Sequence, residues 1–217
     1  MKLKLSKIEA TKVEAISQDY SMICGIDEVG RGPLAGPVVS CALILPKGHN
    51  IEGVRDSKKL SDKKRRTLSK DILSEAIAVG YGVVDNQMID DINIKQATLL
   101  SMNLAILDLH NSNGERVIPD LVLVDAEVVD TDIDQVSIIG GDDTIYCISA
   151  ASILAKIYRD DMMISYADEY PGYGFEAHKG YGTKKHYSAL DEYGPCNIHR
   201  RTFLRKYYEY KKNHEQV

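Results

Sequence analysis

Gly25-Ile-Asp-Glu-Val-Gly-Arg-Gly-Pro-Leu-Ala-Gly-Pro-Val-Val39 is the stretch from which the rest of the chain is read. Its opening continues an apolar segment, so residues 21–28 read as a strand. Gly30, Gly32 and Pro33 break the pattern. Residues 37–45, rich in β-branched and apolar side chains, read as a second, buried strand that stops at Pro46 and Gly48. The first strand ends in two acids, Asp27 and Glu28. Neighbouring residues of a regular strand point to opposite faces, so these two are expected to share a site only if the strand breaks there. The glycines beside them make such a break inexpensive.

Working outward, residues 1–19 read as a short amphipathic helix, with its body over about 5–18. A helix is expected over about 62–78, with Leu68, Ile72, Ala76 and Val79 on its apolar face. Residues 81–85 read as a strand. A helix over roughly 93–110 follows, with Ala97, Leu100, Leu104 and Leu107 on one face. Residues 120–125 (Asp-Leu-Val-Leu-Val-Asp) form a buried strand ending in Asp125, and residues 136–139 another, closed by Gly140-Gly141. Residues 149–168 read as a long helix. Strands first, then strands alternating with helices, predict an α/β fold: a mixed central sheet flanked by helices. A catalytic domain is expected over 1–170. A Tyr- and Gly-rich, then basic and helical, C-terminal region takes up 171–217.

The net charge of −5 disfavours a nucleic-acid binder until its distribution is read. Residues 178–217 carry nine Lys/Arg against four Asp/Glu, and residues 55–70 carry eight against two. Local basic patches, more than the total, attract phosphates, though a charge run is more often a solvated helix face. Cys24, Cys41, Cys147 and Cys196 form no Cys-x-x-Cys pair, which disfavours a zinc knuckle or a disulfide framework. No segment reads as a signal peptide or a membrane span. A cytoplasmic monomer without an obligate protein partner is expected.

The chemistry lies in the acids. Asp27-Glu28 and Asp125 sit at strand ends, and Asp142-Asp143 lies between a strand and a helix. Functional groups of α/β sheets gather beyond the carboxyl ends of strands. Converging carboxylates repel one another, and a divalent cation compensates them. Hard oxygen ligands suit Mg²⁺ or Mn²⁺, and two such ions can serve a phosphodiester from both sides. The plain alternative is helix caps and surface charges, which fits Asp142 or Asp143 better than Asp125.

Further blocks extend the opening motif. They are Asp56-Ser-Lys-Lys-Leu60, Ile92-Asn-Ile-Lys-Gln-Ala-Thr-Leu99, Val124-Asp125, Ile148 to Lys156 with Arg159-Asp160, His178-Lys-Gly-Tyr-Gly-Thr183 and His199-Arg-Arg-Thr-Phe203. In this order, over about residues 20–205, they resemble ribonuclease HII, in a form that looks bacterial. The resemblance implies a ribonuclease H-like fold and a four-carboxylate site of Asp27, Glu28, Asp125 and Asp142, with Asp143 the alternative for the fourth. It implies cleavage of the RNA strand of RNA–DNA hybrids, and cutting on the 5′ side of ribonucleotides embedded in duplex DNA. The ends left are 3′-OH and 5′-phosphate. Two departures stand out. The family commonly has Val-Asp-Gly-Asn where this chain has Val124-Asp-Ala-Glu127, and Gly140 replaces a usual Lys.

The 2′-OH distinguishes RNA from DNA, and the backbone of Gly30-Arg31-Gly32 can approach and bond it. The resemblance implies the same contact, although a tight turn alone would also explain the glycines. It further implies that Tyr181 packs on the deoxyribose after the ribonucleotide. Lys58, Lys156, Lys179 and Lys184 are candidate phosphate contacts, which position a duplex without reading its sequence. A DNA-only nuclease of the same fold class is disfavoured by the Gly-Arg-Gly loop and Tyr181. A catalytically dead hybrid-binding module is disfavoured by the full set of acids.

Overall fold

The computed structural model describes residues 4–54 and 60–214. Six strands make one mixed sheet: β1 (Lys4–Ile8), β2 (Ile23–Val29), β3 (Val38–Ile44), β4 (Ala78–Val84), β5 (Leu121–Asp125) and β6 (Asp134–Ile138). Their order across the sheet is β1-β6-β5-β2-β3-β4. β2, β3 and β4 form an antiparallel meander, with Asp27 opposite Cys41 and Cys41 opposite Tyr81. β5, β6 and β1 continue it in parallel from the other side of β2. β3 is buried along its whole length, as its unbroken apolar run requires.

Helices cover both faces. On one face, α3 (Asn86–Leu107) packs Met102, Ala105 and Ile106 against Cys24 and Ile26 of β2 and Ala42 and Ile44 of β3. On the other, α2 (Asp62–Glu75) and α5 (Tyr146–Glu169) enclose Cys41 and Leu43 with Leu68, Ile72, Ala150 and Leu154. Gly25 lets α5 lie directly on β2, since a Cβ there would come within 2.4 Å of the Cys147 carbonyl carbon. The short helices are α1 (Val13–Ser17), α4 (Gly141–Thr144) and α6 (Phe175–His178). Beyond them, α7 (Lys184–Tyr193) and α8 (Arg205–His214) complete the C-terminal region, where Tyr173, Phe175, Ala189 and Ile198 pack with Ala35 and Met163.

Four expectations are corrected. The N-terminal helix over 5–18 is instead strand β1, a single 3₁₀ turn and the five-residue α1. The free edge of β6 supplies backbone partners to β1, and a helix this short does not recover its nucleation cost. Ala76 and Val79 do not continue α2: Ala76 is already extended at its C-cap, and Val79 lies in β4. The inward face of α3 is not the leucine stripe, since Leu104 and Leu107 are 38% and 51% exposed. Instead Ala97, Thr98, Ser101, Met102 and Ala105 face the sheet. Gly82 is the cause. A Cβ there would lie 1.8 Å from the Ser101 carbonyl oxygen, so the helix backbone rests on the strand and only a small-residue face fits. The expected start near residue 93 is a kink inside the helix, where the Asn93 side chain accepts from the amides of Lys95 and Gln96.

Candidate active site

Asp27, Glu28, Asp125 and Asp142 line one open cavity of about 420 Å³. Gly30, Arg31, Gly32, Arg65, Ser152, Lys156 and Tyr181 complete its wall. The strand does not break at the acids, contrary to the expectation. β2 stays paired with β3 through Val29, and Asp27 and Glu28 leave it on opposite faces. They reach a common space because β5 stops at Asp125. The parallel pairing of β2 with β5 runs only to Ile26 opposite Val124, so beyond it the edge of β2 is open and the two faces join.

Each acid is held from its own element. Asp27 is buried toward α5, where the Ser152 hydroxyl bonds it, and its Oδ1 accepts the Glu28 amide at 2.8 Å. Asp125 Oδ1 accepts the Gly141 amide at 2.7 Å, which ties the end of β5 to α4. Asp142 is 4% exposed and faces the cavity, and its carbonyl accepts from Ser149 at 2.6 Å. Asp143 is exposed and does not line the cavity. Burial pushes the Asp27 carboxyl well above the usual range, with the Glu28 and Asp125 charges adding to it. Burial raises Glu28 as well, opposed by the guanidinium of Arg31.

Glu28 Oε2 is buried without a hydrogen-bond partner. An orphan acceptor among repelling hard-oxygen donors suits a divalent cation such as Mg²⁺ or Mn²⁺. Among the described residues no three acidic, His or Cys side chains are already gathered into a finished cage. The carboxylates surround the cavity without closing on a point.

Arg31 partly supplies the missing positive charge. Its Nη1 lies 3.3 Å from Glu28 Oε1 and 3.0 Å from Glu127 Oε1. Glu127 reaches it because Ala126 takes φ +52° and donates its amide to the Ile138 carbonyl, turning the chain sharply after Asp125. The left-handed conformation is one that glycine adopts at less cost.

Of the candidate lysines, Lys156 lines the cavity and bonds Asp160 at 2.7 Å. Lys179 bonds the Glu176 carbonyl, and Lys184 is exposed at the start of α7; neither is on the cavity wall. Lys58 lies outside the described residues. Tyr181 is 39% exposed, with the edge of its ring beside Gly32.

Four residues of the site were not singled out by the sequence. Arg65 lines the cavity with its Nε buried and unpartnered, and only the basic run around it was a signal. Ser152 belongs to the Ser-Ala-Ala-Ser block. Arg159 and Arg200 are fully buried. Arg159 donates to the carbonyls of Pro37, Lys179 and Ala35, and Arg200 to those of Gly36, Arg31 and Gly30, at 2.6–3.1 Å. Between them they clamp the whole 30–37 loop by its main chain. Charge-assisted bonds to several carbonyls compensate a buried guanidinium.

A family model described as Ribonuclease HII matches residues 24–209. A relative described as ribonuclease HII from Alkaliphilus metalliredigens is 52% identical over 189 residues, covering 87% of this chain and 93% of its own. One from Bacillus subtilis is 48% identical over 203 residues, covering 93% and 77%. The crystal structure of ribonuclease H2 from Pyrococcus horikoshii superposes with a TM-score of 0.71 at 25% identity, covering 88% of this chain and 99% of its own.

Proposed function

Since the chain belongs to the ribonuclease HII family, and so to the nucleases, we propose that it cuts on the 5′ side of ribonucleotides embedded in duplex DNA and within RNA–DNA hybrids, leaving 3′-OH and 5′-phosphate ends. The observation that carries this reading is the grouping of Asp27, Glu28, Asp125 and Asp142 around one cavity whose rim holds Gly30–Gly32 and Tyr181.

The four carboxylates would hold Mg²⁺ or Mn²⁺, two ions in all. When bound, such ions supply Lewis acidity to the attacking and leaving oxygens of a phosphodiester. The chain's own groups do the rest. Arg65 and Lys156, both on the cavity wall, draw the phosphate in and hold it in register. The exposed backbone at Gly32 meets the 2′-OH of the ribose. Tyr181 lays its ring against the next sugar, where an added hydroxyl would be desolvated without a partner, and this favours deoxyribose. Residues 171–217 serve as the substrate-binding side, joined to the 1–170 catalytic part by the buried arginines.

Among the described residues no helix is long and apolar enough to cross a membrane. The cysteines are unpaired, in keeping with a reducing cytoplasm. The enzyme acts as a monomer on nucleic acid.

The test is cleavage of a duplex carrying one ribonucleotide, beside the all-DNA duplex, by wild type and Asp125→Asn. Wild type is expected to cut only the first. Asp125→Asn retains the Gly141 contact, so it should fold and lose roughly 10²–10³ in rate, a typical loss when a group stabilising transition-state charge is removed. Equal activity of the two proteins would refute the site assignment.

A further inference from the structure

Three buried histidines have no part in the cavity. His178 closes α6, His186 lies in α7 and His199 precedes Arg200; they are 9%, 0% and 0% exposed. His178 and His186 stack at 4.5 Å, and both rings stand nearly perpendicular to that of Phe175. Burial pushes His186 and His199 down to about 4, so both are neutral at neutral pH.

A neutral imidazole has one donor and one acceptor nitrogen, and the partners decide which is which. His186 Nδ1 lies 3.0 Å from the Tyr181 carbonyl, whose oxygen also accepts the Thr183 amide at 2.8 Å. A carbonyl only accepts, so Nδ1 carries the proton and Nε2 is the acceptor. His186 Nε2 lies 3.0 Å from His199 Nε2, which must therefore be the donor. That leaves His199 Nδ1 as acceptor, and its shortest contact is the Cys196 amide, which donates to it at 2.9 Å; the Cys196 Sγ stands at 3.1 Å and the Cys196 carbonyl, at 3.3 Å, is the longest of the three. Each assignment agrees with the next. The result is a one-way chain of donors from Cys196 through His199 and His186 to the Tyr181 carbonyl. Bonds in such a chain polarise and strengthen one another.

The other side of the same peptide segment is held too. His178 Nε2 donates to the Tyr173 carbonyl at 2.8 Å, so its Nδ1 accepts the Gly180 amide at 3.2 Å. The Gly180 carbonyl accepts from Leu34 at 2.8 Å. The Tyr181 ring, by contrast, is well exposed. Its place beside Gly32 thus depends on how its backbone is held.

We propose that His186, with His199 behind it, is a positioning residue: it fixes the Tyr181 carbonyl, and so the ring, and thereby sets how strongly the enzyme prefers deoxyribose over ribose after the cut. The inference rests on the reading of Tyr181 given above. It predicts opposite behaviour of two conservative variants. In His186→Asn the side-chain amide nitrogen stands in for Nδ1 and keeps the donor to Tyr181. In His186→Gln the longer side-chain amide stands in for Nε2, reaching His199 but not Tyr181.

The measured quantity is kcat/KM on a duplex with one ribonucleotide divided by kcat/KM on a continuous RNA–DNA hybrid, with Mn²⁺ present. His186→Asn should keep this ratio within about threefold of wild type. His186→Gln should lower it at least tenfold, toward the value for Tyr181→Ala, while kcat on the hybrid changes less than about threefold. If Tyr181→Ala leaves the ratio unchanged, the reading of Tyr181 itself fails. If Tyr181→Ala collapses the ratio and His186→Gln does not, the positioning role is overturned. A measurement on the wild-type protein stands apart from the variants' folding: ¹⁵N spectra of the imidazoles should show the Nδ1–H tautomer for His186 and Nε2–H for His199. The reverse pair would also overturn the proposal.

Discussion

Replacing Gly32 by alanine separates recognition from folding, because the two glycines of the Gly-Arg-Gly loop sit in different physical situations. Gly32 does not have a left-handed φ, and a Cβ added to it meets only the Tyr181 ring edge, at 3.9 Å. That is ordinary contact, so the folded state should change by less than about 0.5 kcal/mol. On the proposed reading, the new methyl nevertheless enters the space where a ribose would approach the backbone. Blocking a hydrogen bond to the 2′-OH and leaving it desolvated costs roughly 2–3 kcal/mol. On that scale kcat/KM for a one-ribonucleotide duplex should fall about 30- to 150-fold. Gly30 behaves in the opposite way. Its φ is +96°, and an added Cβ would lie 2.3 Å from Arg159 Nε and 2.7 Å from the Pro37 carbonyl. Backbone strain of ~1–3 kcal/mol adds to loss of the charged bond from Arg159 to Pro37, worth ~1.5–3 kcal/mol. Gly30→Ala should therefore lose about 3–5 kcal/mol of stability, or roughly 8–15 °C in Tm. Thermal unfolding and steady-state cleavage on both variants check this. Full cleavage by a stable Gly32→Ala protein would refute the contact with the ribose. A Tm for Gly30→Ala equal to wild type would refute the strain argument.

Two other outcomes are expected. Glu127→Gln removes a negative charge that shares Arg31 with Glu28, so Mn²⁺ should bind about tenfold more weakly in calorimetry, for a loss of ~1–2 kcal/mol in a partly screened site, with Tm unchanged; equal or tighter binding would count against it. The buried histidines give stability a pH dependence with a definite sign. His186 and His199 are held at about 4, below the ~6.5 of the unfolded chain, so their neutral forms stabilise the fold above pH 6.5 and that contribution fades as pH falls toward 4. Between pH 7 and 5 each imidazole should cost about 2 kcal/mol. Asp27 and Glu28 are raised and act in the opposite direction, so the effect is read from urea midpoints in an Asp27→Asn, Glu28→Gln background. A midpoint that does not fall there would refute the neutral-histidine assignment.

The central strands were legible because β3 and most of β5 are buried on both faces, and such strands announce themselves as largely apolar runs. Helix faces were less so. Periodicity favoured Leu104 and Leu107, but the helix faces a glycine of β4, and only contact distances reveal that it must present small residues. β1 was missed because five residues carry too little pattern, and their partner strand lies far along the sequence. At the site, carboxylates at strand ends were visible as a motif. That Asp27 and Glu28 meet without a break depends on where β5 stops, which is a property of the sheet. Arg200 shows the limit of charge counting. It contributes to the basic C-terminal run, yet its guanidinium is buried and spent on main-chain carbonyls. A motif reading registers such an arginine as charge; its work is to hold backbone.

The two buried arginines also fix an order of assembly. Strands β2 and β3 are adjacent in sequence and can pair early. The loop between them waits for Arg159, 122 residues beyond the Pro37 carbonyl it binds, and for Arg200, 170 residues beyond Gly30. Contacts over such separations close late, and synthesis proceeds from the N-terminus. A chain still on the ribosome thus carries Asp27, Glu28 and Asp125 before the loop beside them has gained its two arginine anchors.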